Sequence, residues 1–270
     1  METIGDEAAI RQIPSQGSIA ILCKEGSAML LEWVDYYSLL FLAPFLALEF
    51  FWRARRYDAP RGWRWRAAAV SLAVFGVSLA VGRAWGTVLP SWSLVDGGAL
   101  GTWGGALAGI LVYEFLHYWY HRCAHEWNWL WRLGHQMHHS AESIDAFGAY
   151  YLHPLDAALF TTWAVVAFYP VLGLTPEAGA IAAAFLAFNA AFQHANIRTP
   201  RWLGYLVQRP ESHGIHHGRG IHRWNYSDLP LWDMVFGTFR NPRALAPRAA
   251  GFYTGASAKL APMLAFRKVS

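Results

Sequence analysis

The chain has 270 residues, 55% of them hydrophobic and only 15% charged, with 15 tryptophans and a formal net charge of +4. That balance excludes an ordinary soluble domain, and apolar runs of the ~20 residues needed to cross a ~30 Å hydrocarbon layer mark an integral membrane protein. Two cysteines, Cys23 and Cys123, are too few and too poorly placed for a disulfide framework or a thiolate metal site, so any metal must be held by nitrogen or oxygen.

In chain order, residues 1–28 begin with acidic Glu2, Asp6 and Glu7, unlike the basic start of a signal peptide, and are expected to be poorly ordered. The first predicted span covers about 33–52, with Glu49 one helical turn before Arg53 and so placed for an ion pair. Arg53, Arg55, Arg56, Arg61, Arg64 and Arg66 follow, interleaved with Trp63 and Trp65. Beside two apolar spans, such a tract reads as the cytoplasmic interface of a membrane protein and not as a nucleic-acid surface. The second span is about 67–89. The loop 90–98 carries no Lys or Arg, as an outer loop should. The third span, about 99–121, continues as a helix beyond His117. Its Gly101, Gly104, Gly105 and Gly109 allow close helix approach in lipid. A fourth span, about 155–172, is joined by another loop without Lys or Arg to a fifth at about 178–196.

The asymmetry of the basic loops orients the chain. The predicted fold is an all-α integral membrane helical bundle, one domain over 29–245 and a C-terminal tail 246–270, with a histidine-rich helical cap on the cytoplasmic side of, by expectation, a bacterial inner membrane.

All 12 histidines fall between His117 and His222. His117, His121 and His125 form one helical stripe, with Glu114 a turn earlier. His135, His138 and His139 repeat the spacing of His213, His216 and His217. Residues three and four apart on a helix share a face, so each group aims its imidazoles at one point. Neutral imidazole is the commonest metal ligand among side chains. The groups exceed the needs of one ion, which predicts a site for two. His194 closes the fifth span, where a polar group is costly and usually functional. His125 is a weaker ligand candidate on this reading. His153 precedes Pro154 and serves either as a ligand or as the cap of the fourth span, and His222 is open in the same way.

The segments H117-Y-W-Y-H121-R-x-x-H125-E, H135-Q-M-H138-H139-S-A-E, Q193-H194-A-N-I and H213-x-x-H216-H217-G-R, followed by N225-Y226 and W232-D233-M-V-F-G-T-F, resemble the sterol desaturase / fatty acid hydroxylase superfamily. Within it they look closest to a bacterial sterol-desaturase-like branch similar to alkylglycerol monooxygenase and ornithine-lipid hydroxylases. The resemblance implies a histidine-held di-iron centre and an O2-dependent hydroxylase or desaturase acting on a lipid or sterol-like substrate from the bilayer, with no catalytic residue beyond the metal centre. It carries over His117, His121, His135, His138, His139, His194, His213, His216 and His217 as ligands. It makes Asn225, Tyr226, Trp232, Asp233 and Phe236–Thr238 a frame around the last histidine group. No cytochrome b5 domain is recognisable at either end, so electrons are expected from a separate ferredoxin or cytochrome b5-type donor with its reductase. Zinc or another divalent metal is expected to compete for such a site during purification. Two other classes fit the pattern less well. A membrane haem electron carrier needs isolated facing histidine pairs, and a divalent-metal transporter needs ligands near mid-membrane on several spans.

Overall fold

The computed structural model describes residues 40–245 and 249–270; the expected disordered segment 1–28 and the start of the first predicted span lie outside the described residues. Within them the chain is helical, with no β-strand and one isolated bridge between Gly218 and Ala250. Helix α1 is Leu40–Trp52, α2 is Trp63–Val88 and α3 is Gly101–Glu126. Two short helices, α4 (Asn128–Leu130) and α5 (Gln136–His139), flank a π-turn at Trp131–His135. Helix α6, Pro154–Val166, runs on into a second π-turn, Ala167–Val171, and α7 is Pro176–His194. The remaining short helices are α8 (Pro210–His216), α9 (Pro230–Val235) and α10 (Leu260–Leu264).

Among the described residues, three segments are long and apolar enough to cross a membrane: Trp63–Val88, Gly97–Glu126 and Pro154–Val171. Helix α7 occupies the fifth predicted span, but its Glu177, Asn189, Gln193 and His194 make it less apolar than these three. The spanning helices bury little of their own surface. Leu72 and Trp103 stand 69% and 77% exposed, which suits hydrocarbon and not water as the surrounding medium.

Small residues bring α3 and α7 together. A Cβ on Gly105 would lie 3.0 Å from Ala178 Cβ, and one on Gly109 would lie 2.8 Å from Leu174 Cδ1 and 3.3 Å from Ala182 Cβ. Close backbone approach of this kind is how helices associate in lipid, where hydrophobicity alone gives no drive. Helix α2 packs against α6 as α3 packs against α7, while α6 and α7 hardly touch one another. Helix α1 packs on α7 through Phe41, Phe45, Phe188 and Phe192.

The two ends of the bundle differ. At one end Val95 and Gly97 donate backbone N–H groups to Val171 and Leu172 carbonyls, tying the loop before α3 to the turn after α6. At the other end lie the arginine-bearing loop 53–62, the C-termini of α1, α3 and α7, and every histidine. Glu49 does not simply face Arg53. It is buried, and its Oε1 accepts the backbone N–H groups of Ala146 and Asn196, each at 2.7 Å. That one carboxylate therefore pins the segment after α5 to the end of α7. Residues 249–270 pack on the same end: Tyr151 donates to Ser257 O, Gln136 Nε2 donates to Arg267 O, and Met263 is fully buried.

Candidate metal centre

Each histidine reaches the centre through a specific local device. The π-turn Trp131–His135 adds a residue to the helical turn before α5, rotating His135 toward α3 while α5 carries His138 and His139. Burial of α8 rests on Arg209, a fully buried guanidinium that donates to Thr199 O, Asn241 Oδ1 and Pro242 O and pairs with Glu211 at 3.2 Å. After α8 the chain turns back through His222, Trp224 and Asn225, all at positive φ, a conformation asparagine tolerates best of the three. Asn225 then donates to Ser212 O and accepts from Arg240 N–H.

The result is two adjoining groups of imidazoles. His121, His125, His135, His139 and His216 each present a ring nitrogen within 4.8 Å of the others, and His138, His194, His213 and His217 do the same. The groups share a wall, where the rings of His139 and His217 stack at 4.2 Å. In the second group Nε2 atoms are separated by 3.1 Å (His138 to His194), 3.0 Å (His194 to His213) and 3.0 Å (His213 to His217). Nitrogens bound about 2.0–2.1 Å from one ion stand roughly 3.0–3.4 Å apart.

Several of the rings have their tautomer fixed from outside the groups. His194 Nδ1 lies 2.8 Å from Ala190 O, His121 Nδ1 2.6 Å from Tyr226 O, and His216 Nδ1 2.7 Å from Trp224 O. A carbonyl only accepts, so each Nδ1 carries the proton and each Nε2 is left with a bare lone pair. His135 Nδ1 is 3.0 Å from Asp156 Oδ2, and Tyr120 donates to the other oxygen of that carboxylate. Nε2 of His121, His125 and His216 is buried without any partner. Buried lone pairs facing one another are costly unless something positive lies between them. Nine converging imidazoles, four of them with the other nitrogen held by a carbonyl or a carboxylate, fit a pair of divalent transition-metal ions.

The stripe on α3 divides differently from the reading carried over by resemblance. His125 joins the first group, whereas His117 stands outside both. His117 Nδ1 faces Glu114 Oε2 at 3.7 Å and Asp228 Oδ1 at 4.0 Å, and its ring stacks on His121. Glu114 in turn accepts from Ser227 Oγ and from the backbone N–H groups of Asp228 and Leu229. His153 also lies outside both groups and caps α6, its Nδ1 accepting the Leu155 N–H at 3.1 Å. His222 lies beside the first group, with Nδ1 3.2 Å from His139 Nδ1.

The frame residues behave as their positions imply. Asp233 accepts from Tyr226 N–H, Ser227 N–H and Thr238 Oγ, which holds the Tyr226 carbonyl against His121. Trp232 Nε1 donates to Leu111 O, and Phe236 stacks on Tyr118. Sequence reasoning missed Asp156, Asp228 and the carbonyls of Trp224 and Tyr226. A lone acid opening an apolar span was the available signal for Asp156; the carbonyls carry none.

Outside the spanning helices, burial and the neighbouring imidazoles push His138, His139, His213, His216 and His217 well below the ordinary histidine range. They are neutral at pH 7 and ready to bind metal without losing a proton. The sign for stability follows. A depressed pKa contributes stability that is present above the unfolded value, about 6.5, and is lost as pH falls toward the folded value. Chelator-treated protein is therefore expected to lose thermal stability on acidification below pH ~6.5, starting from a melting temperature already lowered by metal removal. Melting curves across pH 5–8, with and without chelator, check this; a flat profile after chelation would count against buried neutral imidazoles.

An apolar cavity ends at these groups. It runs between α6 and α7, touches α2 and α3, and has His121, His135, His138, His194 and His213 at one extremity. Asp228, pushed up to about 7 chiefly by burial, lines the same end together with Gln193, which donates to it.

Residues 106–238 match the sequence profile of the fatty acid hydroxylase family. Human alkylglycerol monooxygenase is 34% identical over 145 residues, which make up 51% of this chain and 30% of the relative. Sphinganine C4-monooxygenase 1 of Arabidopsis thaliana is 27% identical over 149 residues, 54% of this chain and 57% of the relative. The ornithine lipid hydroxylase OlsE of Rhizobium tropici is 30% identical over 158 residues, 57% of this chain and 46% of the relative. The chain thus spans only about a third to a little over half of these relatives. No solved structure matches it.

Proposed function

We propose, on the premise that residues 106–238 belong to the fatty acid hydroxylase family, that this chain is an O2-dependent hydroxylase (or desaturase) of a membrane lipid, using two iron ions held by the two histidine groups. The observation that carries this reading is their position at the end of an apolar cavity between spanning helices. The names of the relatives support lipid oxidation as the reaction class. Iron bound there supplies the oxidising power that no side chain has: from O2, two electrons and two protons, one oxygen enters the C–H bond and the other leaves as water.

The protein's own residues prepare that chemistry. The carbonyls of Ala190, Trp224 and Tyr226 and the carboxylate of Asp156 fix ring orientation and keep inward-facing nitrogens unprotonated. The apolar walls exclude water, which protects a reactive site from side reactions. The arginine-bearing loop lies at the histidine end, which by the positive-inside rule supports a site on the cytoplasmic side. A separate ferredoxin or cytochrome b5-type protein would deliver electrons there. Clustering at one end also disfavours a transporter, whose ligands would lie at mid-depth.

Lipid mass spectrometry of host cells expressing the chain or its His138→Ala variant tests the proposal. A new species heavier by one oxygen, present only with the unaltered chain, is expected. Loss of two hydrogens instead identifies a desaturase. Identical lipidomes from cells whose purified protein carries iron would overturn the reading.

A further inference from the structure

The cavity has a length, a floor and a direction. On α7 its wall is a stripe of small side chains, Gly179, Ala180, Ala183, Ala187 and Ala190, ending at His194. On α6 the facing wall comprises Ala157, Thr161, Ala164, Val165 and Phe168. At a rise of about 1.5 Å per residue, these stripes run for roughly 18–22 Å. At the end remote from the histidines the α6 chain leaves the α-helical path. Pro170 has no N–H to continue the ladder, and the turn Ala167–Val171 is π-helical. That turn brings Phe168 and Tyr169 over α7, with the Tyr169 hydroxyl 3.0 Å from where a Cβ on Gly179 would stand. Gly179 thus admits the tyrosine that forms the floor.

We infer that this cavity is a depth gauge for one linear saturated hydrocarbon chain, inserted methyl end first, with Tyr169 over Gly179 as its stop. An extended alkyl chain advances roughly 1.25 Å per carbon, the projection of a C–C bond of about 1.5 Å, so about 14–18 carbons fit between floor and histidines. The methyl end lies away from the histidines, because the lining carboxylate Asp228 and the neighbouring Gln193 and His117 lie at the histidine end, while the other end offers only the Tyr169 hydroxyl among apolar side chains. The carbon presented to the metals is then set by its distance from the methyl terminus. In chains of common membrane length it falls within the first few carbons from the headgroup. The chemistry at that carbon rests on the hydroxylase reading; the fit of the chain does not.

Metal-loaded protein in detergent is equilibrated with an equimolar ladder of saturated fatty acids of about 10–22 carbons, and retained acids are read by native mass spectrometry. Two variants move the floor in opposite directions. Ala183→Phe stands one turn, about 6 Å, nearer the histidines and is expected to lower the preferred length by about five carbons at roughly 1.25 Å each. Tyr169→Ala, which removes bulk and cannot obstruct packing, is expected to raise it by about two to four carbons on the same scale. Metal content of each variant verifies that the histidine end is intact. A preferred length unmoved in both variants, a uniform loss across the ladder, or retention of cholesterol in place of the acids would overturn the inference. In expressing cells the oxidised lipids should shift in chain length in step with binding. Shifted binding with no oxidised lipid in any host would keep the gauge and remove the oxygenase, whereas oxidised lipid indifferent to both substitutions would do the reverse.

Discussion

Replacing His194 with alanine is expected to empty one metal position and abolish product formation. His194 is the contact between the other members of its group: its Nε2 lies 3.1 Å from that of His138 and 3.0 Å from that of His213. It also arrives alone, on the last turn of α7, whereas the remaining three come from α5 and from α8 with the residue after it. Loss of residues that merely orient a ligand typically costs 10–100-fold in metal affinity or activity, so loss of the ligand itself should exceed about 100-fold in product yield. Elemental analysis should find about half the metal of the unaltered protein, since the five histidines of the adjoining group are untouched. His153→Ala is the matched control. Its ring caps α6 from outside both groups, so metal content should hold while stability falls by about 1 kcal/mol, the usual worth of an N-cap. Full metal and full product in the His194 variant, or equal metal loss in both, would show that the groups do not bind as two separate positions.

How much of this was readable beforehand follows from the kinds of force involved. The spanning helices were legible because lipid demands long unbroken apolar runs, and the stripe and triplet spacings were legible because helical geometry puts three- and four-residue neighbours on one face. What spacing cannot give is rotation about the helix axis after packing. His117, His121 and His125 are equivalent on a bare helix. Tight contact of α3 with α7, set by Gly105 and Gly109, turns His121 and His125 to the metal groups and leaves His117 opposite Glu114 and Asp228. Glu49 shows the same limit. Its spacing to Arg53 pointed to a local ion pair, yet two backbone N–H groups far along the chain take the buried carboxylate instead. The π-turns escaped notice too. Pro170 hints at one, but the turn before α5 has no proline, and only its packing makes the extra residue necessary. Residues 246–270 were expected as a tail; from 249 onward they cover the cap through bonds to Tyr151 and Gln136, whose partners are backbone carbonyls invisible to any side-chain pattern.

Asp233→Ala is expected to produce the largest loss of stability in the frame, together with partial loss of metal. One buried carboxylate serves three donors: the N–H groups of Tyr226 and Ser227, both at 2.8 Å, and the Thr238 hydroxyl at 2.6 Å. Burial pushes this acid up to about 6, so at pH 7 it is mostly ionised and accepts all three as charge-assisted bonds. Alanine leaves the buried N–H groups of Tyr226 and Ser227 without an acceptor, each costing about 1–3 kcal/mol less whatever water can recover, while the Thr238 hydroxyl keeps only its 3.1 Å contact with the Tyr118 hydroxyl. A net loss of about 3–5 kcal/mol is expected, or roughly 6–20 °C in melting temperature at about 2–4 °C per kcal/mol. Asp233→Asn would not restore the arrangement, since the amide places a donor among donors. The consequence reaches the metal through one carbonyl: Tyr226 O holds His121 Nδ1 at 2.6 Å, and a loosened 225–229 turn frees that ring to rotate or change tautomer. Metal affinity should therefore fall by about 10–100-fold in the alanine variant even at temperatures where it remains folded. Thermal unfolding and competitive chelation on the same preparation separate the two effects. A variant as stable as the parent, or one that is destabilised but grips metal as tightly, would break the proposed link between this carboxylate and His121.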